Sequence, residues 1–254
     1  MSALGQLSYL VRSENRPALL RTIKNHPGRP CDIVERCRIS RATVQRIISD
    51  FEERGWIAKR DSRYHLTAAG SIILEQYETV ANTVNRVTEA APVLRHFDAD
   101  AAPPLASLAD STLVTATEQD PHAPLSHYID TLDQSTATSV RLMTPVTSPI
   151  LDDVHSRLLE ASTSITVMTT EPVINDRSTD HWITDVPARS LFVHPGPLRT
   201  GYALLEDRVL VTTYDDQGHI QGCLDGSAPQ IRTWATEQFE SARGSARRLS
   251  VIRN

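Results

Sequence analysis

The chain has 254 residues, room for one large domain or two modest ones, and its 40% apolar and 22% charged content is that of a globular protein able to bury a real core. No run of 18 apolar residues occurs, which argues against a membrane span. Three cysteines exclude a disulfide scaffold, and the first twelve residues lack the apolar core of a secretory signal, so a cytoplasmic protein without membrane contact is expected. The net charge of −5 conceals an asymmetry: residues 1–97 hold 15 Lys+Arg against 10 Asp+Glu, and residues 98–254 hold 11 against 21. A basic head on an acidic body implies two domains with different partners, and duplex DNA, a polyanion, suits the head.

The head starts with a helix over Ser13 to Asn25. Ser13 is its candidate cap, Ala18, Leu19, Leu20 and Ile23 form its apolar stripe, and His26-Pro27-Gly28 stops it. Pro30 opens a short second helix with Ile33, Val34 and Cys37 inward. Arg38 and Ile39 make a turn, and Ser40 caps a third helix from Arg41 to Arg54 that ends at Gly55. On this third helix Val44, Ile47, Ile48 and Phe51 share one face. Arg41, Thr43, Gln45 and Arg46 lie opposite, in the first two turns, and are types that bond phosphates and base edges. Arg54, past the last apolar turn, reads as a partner of the helix dipole rather than a DNA contact. Two short strands, Trp56 to Arg60 and Arg63 to Leu66, flank Asp61-Ser62. They form a wing whose tip carries Lys59, Arg60 and Arg63, placed to meet the DNA backbone.

Pro30-Cys-Asp-Ile-Val-Glu-Arg-Cys, Ile39-Ser-Arg-Ala-Thr-Val-Gln-Arg, Phe51-Glu-Glu-Arg-Gly-Trp-Ile and Tyr64-His-Leu-Thr-Ala-Ala-Gly together resemble the winged helix-turn-helix of archaeal and bacterial regulators, over about residues 13–75. The resemblance implies DNA binding by Ser40, Arg41, Thr43, Gln45, Arg46, Lys59, Arg60 and Arg63. The other reading is a winged helix that docks proteins instead of operators.

Thr67 caps a long helix expected to run to about Arg95. Ile73, Tyr77, Val80, Val84, Val87 and Ala91 recur with heptad spacing, which points to a homodimer through Ile73, Tyr77, Val80, Val84 and Val87. The alternative is that this seam packs on its own winged helix or on the second domain. Pro92 and the stretch from His96 to Pro104 are expected to break the helix. The divisions that follow are 1–66 for the winged helix, 67–97 for the connecting helix, 98–104 for a linker and 105–254 for the body.

In the body, strands are expected at Thr112–Thr117, Ser139–Met143, Ser164–Thr169, Ser190–Val193, Tyr202–Leu205, Val209–Thr213 and Ile220–Leu224. Helices are expected from Pro121, capped by Asp120, to Gln134, from Ser148-Pro149 through Ala161, and from Ile231 to Arg248, with an irregular stretch up to Asp185. The strand-helix-strand-helix-strand order implies parallel pairing and the later hairpins antiparallel additions. The whole is α/β and α+β: an N-terminal winged helix-turn-helix, a long connecting helix, and a C-terminal α/β domain with a mixed sheet. Asp110-Ser-Thr-Leu-Val, the run from Asp120 to Tyr128, Met143-Thr-Pro-Val, the run from Gly201 to Val209, Tyr214-Asp-Asp-Gln-Gly and Trp234-Ala resemble, over about 105–249, the middle domain of the methanogenesis-regulator (FilR-type) family. More distantly the body is similar to TrmB-type archaeal sensor domains, whose fold is shared with phospholipase D. The family implies a regulatory domain of the ligand-sensing kind without implying a known ligand, and the body is accordingly expected to dimerise or to sense a small-molecule effector.

No Gly-rich phosphate loop, Cys-x-x-Cys or His-Glu-x-x-His occurs, and with no Lys beyond Lys59 the His-x-Lys of phospholipase D is missing. A non-enzyme without metal or cofactor is expected. His122 and His127 are too far round a helix for one metal, and the pairs Asp152-Asp153 and Asp215-Asp216 read as solvated. An effector pocket beyond the carboxyl ends of parallel strands would involve Thr144, Thr170 and His194, with Arg199 and Tyr202 in reach.

Overall fold

The computed structural model describes residues 2–99, 101–175 and 182–249, in two compact units that divide between Asn85 and Arg86. The first begins with α1 (Ala3–Val11), which has no counterpart among the expected elements. Its N-cap is Ser2, whose hydroxyl accepts the Gly5 N–H at 3.2 Å. α2 (Asn15–Asn25) follows, but Ser13 does not cap it. Glu14 is already helical (φ −58°, ψ −27°), and Ser13 contributes only its carbonyl, to Arg16 N. Ala18 is exposed and Pro17 takes the inward place beside Leu19, Leu20 and Ile23. α3 (Pro30–Arg36) and α4 (Arg41–Glu53) form as expected, the latter closed by Gly55 at φ +69°. β1 (Ile57–Arg60) and β2 (Arg63–Leu66) pair antiparallel around Asp61 and Ser62, both at positive φ. Leu19, Ile33, Val44, Phe51 and Leu74, all at 0% exposure, close this unit's core.

α5 (Ala68–Leu94) starts at Thr67, whose hydroxyl accepts from Gly70 N at 3.0 Å and donates to Gly55 O at 2.6 Å. A glycine is required at position 70, because a Cβ there would lie 1.9 Å from the Trp56 carbonyl oxygen. The heptad seam is not one continuous surface. Ile73 and Tyr77 pack on the first unit's core, Val80, Val84 and Val87 are 60%, 56% and 43% exposed, and Ala91 is exposed while Ala90 and Val93 are buried among second-unit residues. Pro92 does not break the helix. It sits in the last turn, where one lost hydrogen bond is tolerated, and burial of Ala90 and Val93 holds the turn closed. Residues 98–104 lie inside the second unit, and the division between units falls within α5.

The second unit contains α6 (Leu105–Ala109), β3 (Thr112–Thr115), α7 (Ala123–Asp133), β4 (Ser139–Met143), α8 (Pro149–Ala161), β5 (Ser164–Thr170), α9 (Glu171–Asn175), β6 (Leu191–His194), β7 (Thr200–Leu204), β8 (Val209–Tyr214), β9 (Ile220–Gly226), α10 (Pro229–Ser245) and β10 (Arg247–Arg248). Among the described residues they build an eight-stranded mixed sheet in the order β10-β6-β5-β4-β7-β8-β9-β3. β4, β5 and β6 are parallel, as the alternating order implies. β3 is not beside β4. It pairs antiparallel with β9 at the far edge, because the β7–β8–β9 meander occupies the open side of β4. α7 begins at Ala123, without an Asp120 cap, since the Asp120 backbone is held in a turn with Thr117. α10 stops at Ser245 because the chain turns extended at Ala246 and adds Arg247 and Arg248 to β6. Of the irregular stretch up to Asp185, residues 176–181 lie outside the described ones, and Trp182–Asp185 is a 3-10 turn.

Each sheet face carries its own core. Val140, Val167, Leu191 and Leu210 lie with Leu132 of α7 and Leu158 of α8. Met143, Met168, Tyr202 and Leu224 lie with Trp234 and Phe239 of α10. The alternation along each strand produces both layers.

Candidate nucleic-acid interface

α4 is oriented by its apolar side. Val44, Ile47, Ile48 and Phe51 are at most 4% exposed, so at 100° per residue Arg41, Gln45 and Arg46 must project outward, and all three are exposed. The helix starts sharply because Ser40 Oγ accepts the Thr43 N–H at 3.3 Å, with the two hydroxyls 2.9 Å apart. Both hydroxyls are therefore partly engaged in the cap, and Thr43 is half-buried.

The wing is fixed by its register. Tyr64 lies across from Lys59 with its ring inward at 7% exposure, its N–H donating to Gly28 O at 2.8 Å and its hydroxyl to Glu52 at 3.2 Å. The Lys59 ammonium stands 5.8 Å from the Tyr64 ring centre. Arg60 and Arg63 are direct cross-strand partners, both exposed, across a turn whose residues have φ of 46° and 65°. Like charges set opposite each other on a hairpin are destabilising by themselves. Their pairing makes physical sense against an external anion. Among the described residues no ion pair involves Arg41, Arg46, Lys59, Arg60 or Arg63.

Arg54 has a different environment. Its guanidinium lies 3.9 Å over the Tyr9 ring and donates to Gln6 at 2.7 Å, so it ties α4 to α1. Tyr9 completes the tie by donating to Asp50 at 2.8 Å. Burial, and then that carboxylate, push the phenol up to about 12. The signal for α1 was available in Leu4, Leu7 and Val11 on one side of a segment opened by Ser2.

Of the five residues proposed for an effector, Thr144, Thr170 and Tyr202 are buried. Thr144 is 2% exposed, with its hydroxyl bonded to Val146 O at 2.6 Å. Tyr202 is 3% exposed in an aromatic pair with Trp234, and burial raises its phenol to about 12. Thr170 is buried opposite His194, whose Nδ1 sits 2.9 Å from Gly196 O, and Arg199 is exposed. A cleft of about 460 Å³ opens instead toward the amino end of β4, lined by Ser139, Arg141, Glu206, Arg232 and Thr236 among others. Of the acidic pairs, Asp152 is not solvated. It is 8% exposed and accepts from Thr147, whereas Asp153 is exposed and pairs with Arg157. His127 donates through Nε2 to the Asp225 carboxylate at 2.9 Å, and Arg208 holds the same carboxylate at 3.3 Å. No helix among the described residues is long and apolar enough to cross a membrane.

Comparison with known proteins gives two family matches. Residues 4–89 match the HVO_A0261 N-terminal domain, and residues 121–245 match the middle domain of the methanogenesis regulatory protein FilR1. Both resemblances drawn from the sequence are thereby supported. No curated protein matches the chain. Among solved structures, TrmBL2, an archaeal chromatin protein, is 9% identical with a TM-score of 0.40, covering 96% of this chain and 98% of its own. Nuc of Salmonella typhimurium, a phospholipase D family member, is 11% identical with a TM-score of 0.42 over 54% of this chain and 97% of its own. An IclR transcriptional regulator from Alicyclobacillus acidocaldarius is 10% identical with a TM-score of 0.23 over 90% of this chain and 94% of its own.

Proposed function

For a chain that carries an HVO_A0261 N-terminal domain ahead of a FilR1 middle domain, we propose the role of a DNA-binding transcriptional regulator that acts as a homodimer. The observation that carries this reading is a set of exposed cations, Arg41 and Arg46 on α4 and Lys59, Arg60 and Arg63 on the wing, none of them in an ion pair among the described residues. α4 enters the major groove, where Arg41, Gln45 and Arg46 read base edges, and the wing cations hold phosphates. Ser40 and Thr43 serve first as the cap that aims the helix. In a dimer, two such heads contact half-sites about one turn apart.

The double variant R41E/R46E tests the reading. It should lower affinity for genomic operator fragments by about 100-fold or more, since each lost contact is worth ~1–3 kcal/mol and each new carboxylate repels phosphate. Unchanged affinity at low salt overturns it. A salt slope near zero on random duplex would favour the protein-docking alternative.

The body is the sensing half of the proposal. Differential binding of an effector to two arrangements of the dimer would couple to operator affinity by about 1–3 kcal/mol. His194 and Arg199 are the accessible members of the proposed pocket, and they suit an anionic or polar metabolite. A panel of such metabolites that never shifts operator affinity removes this half and leaves the DNA half standing.

A further inference from the structure

α1 is a surface helix with no charged face. Residues 2–11 contain no ionised side chain. One side of α1 is fixed to the head: Leu10 is 2% exposed, and the Tyr9 ring meets Phe51 and Trp56 edge-on at 6.3 and 6.0 Å. Arg16 and Arg54 lie over the same ring at 3.8 and 3.9 Å. The other side turns Leu4, Leu7 and Val11 to solvent at 77%, 56% and 56% exposure. Next to this ridge, α5 presents Val80 at 60% exposure. Between the two helices runs a groove of about 600 Å³, walled by Leu7, Val11, Trp56, Ile73, Tyr77 and Val80. Its rim is Gln6, Gln76 and Asn85, polar but neutral, and residues 79–85 carry no charge. A helix apolar on both sides is ordinarily a buried one, and a contiguous apolar patch of this kind marks an interface.

We infer that the occupant of this groove is the same groove of a second copy of the chain. The inference rests on the homodimer reading above and gives that dimer an address. Charge selects the occupant: a neutral surface offers nothing to duplex DNA or to an acidic or basic peptide, but it meets itself without repulsion. Shape agrees. A ridge and a groove on one face satisfy an isologous two-fold contact, in which each copy's ridge fills the other's groove. Leu4, Leu7, Val11, Val80 and Val84, at on the order of 100 Å² per exposed side chain, supply a little over half of the ~800 Å² per partner of a standard interface, and Gln6, Gln76 and Asn85 beside them extend the patch. The dimer is thus built inside the DNA-binding unit, by α1 and the middle of α5. It does not use the full heptad seam, whose Ile73 and Tyr77 pack on the head's own core. Two recognition helices held through α1 keep a fixed separation in the absence of any effector.

The test is sedimentation of the full chain with four single variants. The wild type should be a dimer. Leu7→Glu and Val80→Arg should each weaken dimerisation at least ~50-fold, because each buries an uncompensated charge, while far-UV circular dichroism and melting temperature stay near wild type. Val87→Glu, outside the groove, should leave the dimer as tight as before. Val11→Gln, a neutral change at an exposed site, should weaken it by about fivefold and serves if a charge disturbs folding. Groove variants that dimerise like the wild type overturn the address and leave the homodimer reading intact. A monomeric wild type overturns both and assigns the groove to a different partner.

Discussion

In the head, Arg41, Arg46, Arg60 and Arg63 are exposed and take part in no ion pair among the described residues. In the body, Arg141 holds Glu240, Arg157 holds Asp133 and Asp153, Arg208 holds Asp225, Arg243 holds Glu240 and Arg247 holds Glu171. Surface pairs of the second kind add little stability, but they neutralise the cations and leave an acidic surface that repels phosphate. The head has such a pair too, Arg21 with Glu78 at 2.7 Å, but it lies away from the start of α4 and from the wing tip in sequence. α4 has its acids, Asp50, Glu52 and Glu53, in its last turns, and Asp50 is bonded to Tyr9. Arginine thus has three environments: ion-paired, as Arg21 and the body's arginines are, stacked on Tyr9, as Arg16 and Arg54 are, or exposed without an ion pair among the described residues, as Arg41, Arg46, Arg60 and Arg63 are.

The comparison can be broken most forcefully by disabling the head alone. Gly70→Ala puts a methyl within 1.9 Å of the Trp56 carbonyl, so it should cost about 3 kcal/mol or more. Operator binding should be lost while the transition belonging to the body persists in calorimetry. A single unchanged transition would refute separate units.

The body has its own pH signature. His155 is 2% exposed, its Nε2 lies 2.9 Å from the Tyr128 hydroxyl and its ring 5.0 Å from Trp182, and burial pulls it from near 6.5 down to about 3. Between those values the unfolded state holds more protons than the native one, so stability is full above pH 6.5 and falls as pH drops toward 3. The loss should reach about 2 kcal/mol by pH 5. His155→Gln, which can still bond Tyr128, should flatten the urea-midpoint profile between pH 7 and 5. A profile as steep as wild type would place the titration elsewhere.

On the wing, changing Lys59, Arg60 and Arg63 together to Ala should weaken binding to all duplexes by about tenfold and reduce the log–log salt slope by about 0.9 per phosphate contact removed. A change confined to one operator sequence would make the wing a reader of bases. The smallest effect concerns the wing turn. Ser62 sits at φ 65°, where glycine is at ease, so Ser62→Gly should raise head stability by roughly 0.5–1 kcal/mol in thermal melts.

Legibility differed between the units for a physical reason. The head's elements are short and punctuated by local signals: Pro30 at a helix start, Ser40 at a cap, Gly55 at a left-handed stop and Asp61-Ser62 at a turn. These placed α3, α4, β1 and β2 within a residue or so. α1 escaped although Leu4, Leu7 and Val11 recur on one side of it, because Tyr9 and Leu10 on the other side and the lack of any charged residue blur the polar face by which a surface helix is recognised. In the body, β4, α8 and β5 were legible from their periodicity, but the neighbour of β3 was not, since adjacency depends on which edge a later hairpin occupies.

The amino-acid order alone determined that Arg41, Gln45 and Arg46 face outward, because a helix with one apolar side leaves its other side no choice of direction. It also determined that the chain divides into a basic and an acidic part. The tertiary structure decided what those residues were free to do. It set Arg54 on Tyr9, left Arg41 and Arg46 without an ion pair among the described residues, buried Thr144 and Tyr202, and split one heptad pattern into three environments. Side-chain availability is a property of neighbours brought together across the fold, and periodicity along the chain does not contain it.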